Sequence, residues 1–275
     1  MAHTLGTRAP MSSARPRGLP GVRPRASRRQ VPVPLLRVHN LAMSLDGYVA
    51  GPHQGLENPL GVGGERLHEW AFATPSFHGG EGRAGDAAGE RGVDDDVVRR
   101  GETGIGATLM GRNMFSPVRG PWPDESWRGW WGPNPPFHHP VVVLTHHPRP
   151  SLTMEGGTTF RFVDDPDRAL DLAFDAADGQ DVRLGGGART VQLYLRAGRV
   201  DELHLALVPI FLGAGERLFD DLDGGPTGFT CAELVSSATV THVRLVRTGP
   251  DGPAAPDGSA GRDAAAARDA GGDAS

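Results

Sequence analysis

Apolar and polar positions alternate along several segments of the chain with the two-residue period of β-strands. In residues 202–210, for example, three leucines alternate with His204, Ala206 and Val208. Residues 140–145 form a continuous apolar run instead, which is typical of a strand covered on both faces. The pattern predicts strands at 37–43, 107–110, 140–145, 158–163, 181–184, 202–210, 228–237 and 239–247. The last two are predicted to pair as antiparallel strands.

Apolar residues at helical spacing predict helices between these strands. One begins at Asp165, whose side chain can cap the free N–H groups, and Pro166 follows where no backbone donor is needed. A second helix follows the glycine run and ends at Gly198, and a third spans 94–102 with acids in its first turn. The alternation predicts an α/β fold with a largely parallel sheet, which the last strands make mixed.

Composition divides the chain into three parts. Residues 1–34 hold seven arginines and no acid, with many prolines and serines, and are predicted to be a disordered extension. Residues 250–275 are rich in Asp, Ala and Gly and are predicted to be a disordered tail. Residues 35–249 are then one folded domain, and the glycine-rich segment 74–92 is a surface insertion or a lid.

Composition also excludes several kinds of chemistry. All 28 basic residues are arginine, so a lysine Schiff base and a P-loop lysine are excluded. The body between the two tails carries 19 arginines against 28 acids, and this acidic charge argues against nucleic acid as the main partner. Cys231, the single cysteine, excludes an intrachain disulfide, and the histidine pairs 138–139 and 146–147 are poor chelates, so we expect no metal. No apolar window reaches the roughly 18 residues of a membrane span, and we expect a cytoplasmic protein.

Three predicted strands end in residues suited to binding phosphate. The glycine run 185–187 leads into a helix, where glycines permit close backbone approach and free N–H groups point outwards. Gly111–Arg112 and Thr145–His146 follow two other strands. Ligands collect at the carboxyl ends of parallel strands, so the sequence predicts one nucleotide site there. Neither the G-x-G-x-x-G motif nor the lysine-containing P-loop is present.

Three longer stretches carry a family resemblance. They are SLDGYVAG (44–51), LMGRNMF (109–115) and LGGGARTVQLYLRAGRVDELHLALVPIFLGAGERLF (184–219). Together they resemble the dihydrofolate-reductase-like superfamily, and more closely the C-terminal reductase domain of riboflavin-biosynthesis deaminase-reductases. The resemblance spans about residues 37–247. It implies a central mixed β-sheet flanked by helices on both faces, an NADPH site and a homodimer.

The resemblance implies specific site residues for NADPH. These are Gly111, Arg112, Asn113 and Met114 for the pyrophosphate and 2′-phosphate side; Thr145 and His146 near the adenosine; Gly185, Gly186, Gly187, Ala188 and Arg189 around the pyrophosphate and nicotinamide; and Ala42, Val49 and Ala50 near the nicotinamide ring. The resemblance also implies that Asp46 faces the substrate pocket or braces its loop. Asp46 and Glu69 are the candidate catalytic residues, as proton donors alongside ordered water.

The chain also departs from the riboflavin reductases. They tend to carry Glu immediately before the glycine loop, where Leu184 stands here. The zinc signature of the deaminase half needs at least two cysteines, so that half is absent. We expect an NADPH-dependent reductase resembling 5-amino-6-(5-phosphoribosylamino)uracil reductase, acting on a pyrimidine- or pterin-like small molecule. The alternative is a non-catalytic NADPH- or ligand-binding protein that retains the fold.

One further segment is left open. Residues 120–139 hold four of the five tryptophans among prolines and glycines, a composition too rich in helix breakers for a long helix. The segment is a loop that covers the cofactor mouth, a contact for a partner protein, or a loop packed on itself.

Overall fold

A mixed β-sheet runs through the centre of the protein. The structure, a computed structural model, describes residues 33–78, 91–222 and 228–248. Nine strands form the sheet: β1 Leu36–Ser44, β3 Ile105–Gly111, β4 Pro140–Leu144, β5 Leu152–Thr153, β6 Thr159–Val163, β7 Asp181–Leu184, β8 Glu202–Val208, β10 Phe229–Ser236 and β11 Thr241–Arg247. Two more, β2 Tyr48–Ala50 and β9 Glu216–Arg217, form a separate antiparallel ribbon.

The strand order places six parallel strands side by side. The order is β10-β11-β8-β1-β7-β3-β4-β6-β5, and the strands from β8 to β6 are parallel to their neighbours. Strand β11 is antiparallel to β8, β10 to β11, and β5 to β6. The sheet is therefore mixed, as predicted, and the carboxyl ends of β1, β7, β3 and β4 meet along one edge.

Helices cover both faces of this sheet. They are α1 Glu69–Phe72, α2 Pro75–His78, α3 Val93–Glu102, α4 Arg112–Phe115, α5 Pro166–Ala176 and α6 Ala188–Arg196, with 3-10 turns at Gly64–Leu67 and Glu155–Gly157. The predicted cap is present, because the Asp165 carboxylate accepts a hydrogen bond from the Arg168 backbone N–H at 2.7 Å. No helix in the described part of the chain is long and apolar enough to cross a membrane.

Apolar clusters join the sheet to its helices. On one face Leu109, Val182 and Leu184 pack with Leu170 of α5 and Tyr194 of α6. On the opposite face a second cluster lies beneath α1 and α3; it includes Ala42, Leu67, Trp70, Val97, Val98 and Ala206. A third cluster surrounds Phe115 near β4 and β6 and takes in several of the tryptophans. The predicted fold class, a mixed sheet with helices on both faces, is confirmed.

Parts of the predicted organisation lie outside the described residues. These are the extension 1–34 apart from residues 33 and 34, the tail 250–275, and residues 79–90 of the glycine-rich segment 74–92. Within that segment, Pro75–His78 forms the short helix α2.

Charged side chains form a buried network beside α3. The Glu202 carboxylate on β8 accepts hydrogen bonds from His39 Nε2 at 2.6 Å and Arg244 Nη1 at 3.0 Å. Arg37 Nε lies 3.5 Å from the same carboxylate and Arg37 Nη1 lies 3.2 Å from Asp181. Burial raises the pKa of Glu202, but the hydrogen bond from His39 and the charges of its neighbours outweigh burial and lower it to about 2.

Glu202 should therefore stabilise the fold in a pH-dependent way. Its folded-state pKa lies below the ordinary value of 4.5, so its contribution is present above pH 4.5 and is lost as the pH falls towards 2. We expect Glu202→Gln to lower the free energy of unfolding at pH 7 by about 3 kcal/mol, because buried cations lose their partner. Urea unfolding between pH 7 and pH 3 measures both effects.

The exposed Glu155 provides the control, since Glu155→Gln should change the free energy of unfolding by less than about 0.5 kcal/mol. An unchanged slope of stability against acid pH in Glu202→Gln would contradict this account of the network.

Candidate functional site

Four of the segments expected to form the site, three for the nucleotide and one for the substrate, lie in a row at one edge of the sheet. Strands β1, β7, β3 and β4 are neighbours in that order. Their carboxyl ends lead into the Asp46 turn, the glycine loop 185–187, Gly111–Arg112 and Thr145–His146. Three interstrand steps span roughly 14 Å, a length suited to an extended dinucleotide. The topology thus brings together segments that are far apart in sequence.

Backbone hydrogen bonds join the ends of β3 and β7. The Gly111 N–H donates to the Gly186 carbonyl at 2.7 Å, and the Gly185 N–H donates to the Leu109 carbonyl at 2.8 Å. A side chain at Gly111 would overlap the hydroxyl of Thr190 in the first turn of α6. Glycine at 111 therefore allows the glycine loop and the start of α6 to lie directly against β3.

The three glycines of the loop are in different structural surroundings. A methyl group at Gly185 would lie 3.1 Å from the Met114 sulfur. Gly186 has a φ of 119°, which side chains rarely tolerate. Gly187 has an ordinary φ of −66°, and a methyl group there would meet no protein atom within 4 Å. A cis peptide bond joins Gly186 to Gly187. Packing and backbone conformation thus account for the first two glycines, whereas Gly187 leaves open space at the start of α6.

Arg112 begins α4 directly after β3. Its guanidinium carbon lies 3.7 Å from the ring centroid of Trp122, and its Nη1 donates to the Gly120 carbonyl. Its Nε and Nη2 are buried and have no hydrogen-bond partner among the residues that the structure describes. Burial and the charge of Arg149 lower its pKa. Buried donors are normally satisfied, so this pair of nitrogens is suited to an anion.

Other residues expected around the nucleotide are placed as follows. Thr145 is buried, and its hydroxyl accepts from the His147 N–H at 3.2 Å, whereas the adjacent His146 is exposed. Arg189 is exposed, with its Nε 4.0 Å from the Glu216 carboxylate. Asn113 and Met114 are half-buried, and Ala188 is buried in the first turn of α6. The Thr145 side chain is therefore held in place by a hydrogen bond, whereas the side chains of His146 and Arg189 lie in solvent.

Asp46 braces two loops at the β1 end of the row. Its carboxylate accepts from the backbone N–H groups of Leu212 and Gly213 at 3.1 and 2.7 Å. The hydrogen bond from Ser44 is the main cause that lowers the pKa of Asp46 to about 2, and the two N–H groups lower it further. The Asp46 carbonyl accepts from Arg217 at 2.8 Å. These contacts favour the bracing interpretation over proton donation at neutral pH.

Glu69 and the apolar residues lie around the same end of the sheet. Ala42, Val49 and Ala50 are all buried. Glu69 is exposed at the start of α1 and lines a cavity of about 330 Å³ together with Glu57, Glu65 and Arg66. The catalytic role expected of Glu69 stays a prediction.

Leu184, the residue that departs from the family pattern, is fully buried in the cluster beneath α5 and α6. It contributes to the core and supplies no polar group to the row of strand ends.

The side chains of the histidine pair 138–139 contact other protein groups. His138 Nδ1 lies 2.9 Å from the Gly156 carbonyl, and His139 Nε2 lies 2.8 Å from the Thr108 hydroxyl. In the described ranges no group of three or more His, Cys, Asp or Glu side chains is arranged to hold a metal ion.

Sequence reasoning missed Arg149 and the role of Trp122. Arg149 lies 4.9 Å from the Trp122 ring and 5.2 Å from that of Phe162. Both residues lie near the carboxyl ends of β3 and β4. A usable signal existed, because Arg149 follows Thr145 by four residues between two prolines, where the chain must turn.

The mixed sheet with helices on both faces makes this an α/β protein with a candidate ligand site at its strand ends. Comparison with known protein families then identifies the family. The model of the RibD C-terminal domain matches residues 38–243. The chain therefore belongs to the RibD C-terminal domain family, a reductase family that uses a nicotinamide cofactor. No curated protein sequence matches this chain.

Solved structures give distant matches. A provisionally named riboflavin biosynthesis protein from Shewanella sp. PV-4 is 19% identical, with a TM-score of 0.42 over 79% of this chain and 99% of that one. A pyrimidine reductase-like protein from Corynebacterium diphtheriae is 16% identical, with a TM-score of 0.43 over 78% and 92%.

A diaminohydroxyphosphoribosylaminopyrimidine deaminase/5-amino-6-(5-phosphoribosylamino)uracil reductase from Thermotoga maritima is 13% identical, with a TM-score of 0.42. The match covers 78% of this chain and 57% of that one, so this chain spans little more than half of its length.

The close approach of β3 to α6 can be tested by a double-mutant cycle. We expect Gly111→Ala to cost about 1–3 kcal/mol of stability, because the new methyl group overlaps the Thr190 hydroxyl. Adding Thr190→Ala should recover most of that loss, so the two effects are not additive. Gly55→Ala is the control, because a methyl group there meets nothing within 4 Å. Additive effects in chemical denaturation would show that the two segments are not in contact.

Proposed function

We propose that the protein is an NADPH-dependent reductase that transfers hydride to a pyrimidine- or pterin-like small molecule. The observation that carries the proposal is the open space beside Gly187, at the start of α6 and in the same row as the unpartnered edge of Arg112. A methyl group at 187 would meet no protein atom within 4 Å, so the backbone there is accessible to a ligand that lies against it. Membership of a reductase family supports the same conclusion.

The residues present fit the cofactor. The first-turn N–H groups of α6, at Ala188 and Arg189, have no carbonyl within the helix to bond and suit the pyrophosphate. The Nε and Nη2 atoms of Arg112 suit the 2′-phosphate. When bound, the cofactor supplies the hydride.

At the β1 end the chain provides shape and a fixed charge. Ala42, Val49 and Ala50 are buried apolar residues near this end of the sheet, which suits a nicotinamide ring and the exclusion of water. Asp46 is ionised at neutral pH, so it holds the loops of residues 45–47 and 212–213 together. Glu69 and water are then the candidate sources of the proton that the product needs.

The substrate assignment is coarser than the cofactor assignment. Resemblance to 5-amino-6-(5-phosphoribosylamino)uracil reductases supports a flat heterocycle, but Leu184 supplies no carboxylate at the start of the glycine loop. We therefore propose the class of substrate and not its identity. A homodimer is proposed from the family resemblance, and the half-exposed edge strand β10 supports it.

A second candidate is a non-catalytic protein that binds NADPH or a related ligand. The buried Leu184 and the engaged carboxylate of Asp46 favour it, because neither residue offers substrate chemistry. Titration with NADPH, followed by NADPH oxidation assays over pyrimidine, pterin and flavin-precursor substrates, separates the two. Turnover of any of them supports the reductase, and tight binding without turnover supports the second candidate. Absence of NADPH binding contradicts the reductase and leaves only binding of a related ligand for the second candidate.

Gly187→Ser tests the cofactor position. Serine is a good residue at a helix start, and the space beside Gly187 is open, so the melting temperature should change by less than about 3 °C. The new side chain should occupy the proposed pyrophosphate position and weaken binding of NADPH and NADH alike, by tenfold or more. Calorimetric titration measures both affinities. Unchanged affinities in a folded variant would place the cofactor elsewhere.

A further inference from the structure

The tryptophan-rich segment is anchored to the strand ends that form the proposed cofactor site. Trp122 Nε1 donates to the His147 carbonyl at 2.6 Å, just beyond β4. Trp127 Nε1 donates to the Phe115 carbonyl at 2.8 Å, at the end of α4. The Trp122 ring also packs edge-on against Phe115 and Phe162. The loop is therefore tied to both β3 and β4 where Arg112 and Arg149 emerge.

Trp122 serves as a common platform for two guanidinium groups. The carbon of the Arg112 group lies 3.7 Å from the Trp122 ring centroid, and that of Arg149 lies 4.9 Å from it. An aromatic face attracts cations, so it can hold two like charges near one another. Neither arginine forms an ion pair within 4 Å among the residues described.

Backbone carbonyls accept hydrogen bonds from some guanidinium nitrogens of the two arginines and leave the other nitrogens without a described partner. Gly120 accepts from Arg112 Nη1, while Trp127 and Glu125 accept from Arg149 Nη1 and Nη2 at 3.1 and 2.8 Å. The buried atoms left without a described partner are Nε and Nη2 of Arg112 and Nε of Arg149. Nε and Nη2 form one edge of a guanidinium and can donate two parallel bonds to a phosphate.

The surrounding charges leave this pair under-compensated. Burial lowers the pKa of Arg149; Glu125 and Asp124 raise it, and Arg128 lowers it. The charge of Arg149 in turn lowers the pKa of Arg112. Asp124 is itself engaged with Ser126, and its carboxylate is exposed. Two half-buried guanidinium groups that keep buried donor atoms without a described partner are suited to a ligand that carries two negative charges.

We infer that Arg149 and Arg112, positioned by Trp122, form a subsite for a phosphomonoester. The inference rests on the proposed function for one point, that the phosphate is the 2′-phosphate of NADPH. Arg149 is then a second cation for that phosphate, and Trp122 is a positioning residue that keeps the Arg112 edge turned towards it. This gives the tryptophan-rich loop a binding role and makes preference for NADPH over NADH a property of the loop as well as of Arg112.

Calorimetric titration of the full chain tests the subsite with small probes. We expect 2′-AMP to bind at least tenfold more tightly than 5′-AMP and ribose 5-phosphate. Arg149→Gln should weaken 2′-AMP and NADPH by roughly tenfold to hundredfold, with NADH changed less than about twofold, because a charge-assisted bond to the 2′-phosphate is lost. Trp122→Leu should weaken the same two ligands, and Trp122→Phe should restore most of their affinity. Thermal unfolding checks that each variant is folded.

Arg128→Gln is the matched control. Arg128 lies in the same loop and carries the same charge, but its Nη2 donates to the Thr153 carbonyl at 3.2 Å. Its loss should change the 2′-AMP affinity by no more than about threefold, because solvent screens more distant charges.

The outcomes separate this inference from the proposed function. NADPH binding that Arg149→Gln leaves unchanged, or weakens equally with NADH, overturns the subsite and leaves the reductase standing. Binding of 2′-AMP that depends on Arg149, in a protein that does not bind NADPH, keeps the subsite and overturns the proposed cofactor. Ribose 5-phosphate that binds as tightly as 2′-AMP overturns the assignment to the 2′-phosphate and points to a phosphorylated substrate instead.

Discussion

The contact between the backbones of Gly111 and Gly186 is the constraint on which the rest of the site depends. The Gly111 N–H donates to the Gly186 carbonyl at 2.7 Å, with the Thr190 hydroxyl filling the space a side chain would need. This contact joins β3 and β7 where each strand ends, and it fixes the start of α6 beside Arg112. The free start of α6 and Arg112 therefore follow neighbouring strands at the same edge of the sheet. Neither would constitute a site alone.

Buried charged side chains stabilise the neighbouring strands β1, β8 and β11. Glu202 gathers His39, Arg37 and Arg244 on three adjacent strands, so β1, β8 and β11 are linked through one carboxylate as well as through their backbones. Such a network is costly to desolvate and is stable only when its members are paired. It lies towards the starts of the parallel strands β1 and β8, away from the row of strand ends. The charged network around Glu202 and the arginines of the candidate site therefore lie at different places along the sheet.

Sequence reasoning predicted the long elements well. The first strand, predicted at 37–43, spans Leu36–Ser44, and the helix capped by Asp165 begins at Pro166 as expected. Strands β2, β5 and β9 and helices α1 and α2 were missed, because two to four residues show no periodicity. His204 was recognised only as the polar partner of alternating leucines. Its burial depends on α3 covering that face and on His242 stacking at 5.2 Å, which are tertiary facts.

The same distinction applies to the candidate site. The segments that form the row of strand ends could be predicted, because strand ends and family motifs are both recognisable in short stretches of sequence. The pairing of Arg112 with Arg149 through Trp122 joins residues from three segments and has no local pattern. The separate reasons for Gly185, Gly186 and Gly187 also needed coordinates, since the three residues are identical in sequence. Leu184 shows the converse case, where a departure recognised in the sequence proves to be a core residue.

A crystal structure of the protein with NADPH tests the central claim most directly. The account predicts the pyrophosphate within hydrogen-bond distance of the first-turn N–H groups of α6, against Gly187, and the 2′-phosphate on the free edge of Arg112. A well-ordered NADPH bound elsewhere, such as in the acidic cavity beside Glu57 and Glu65, would contradict it.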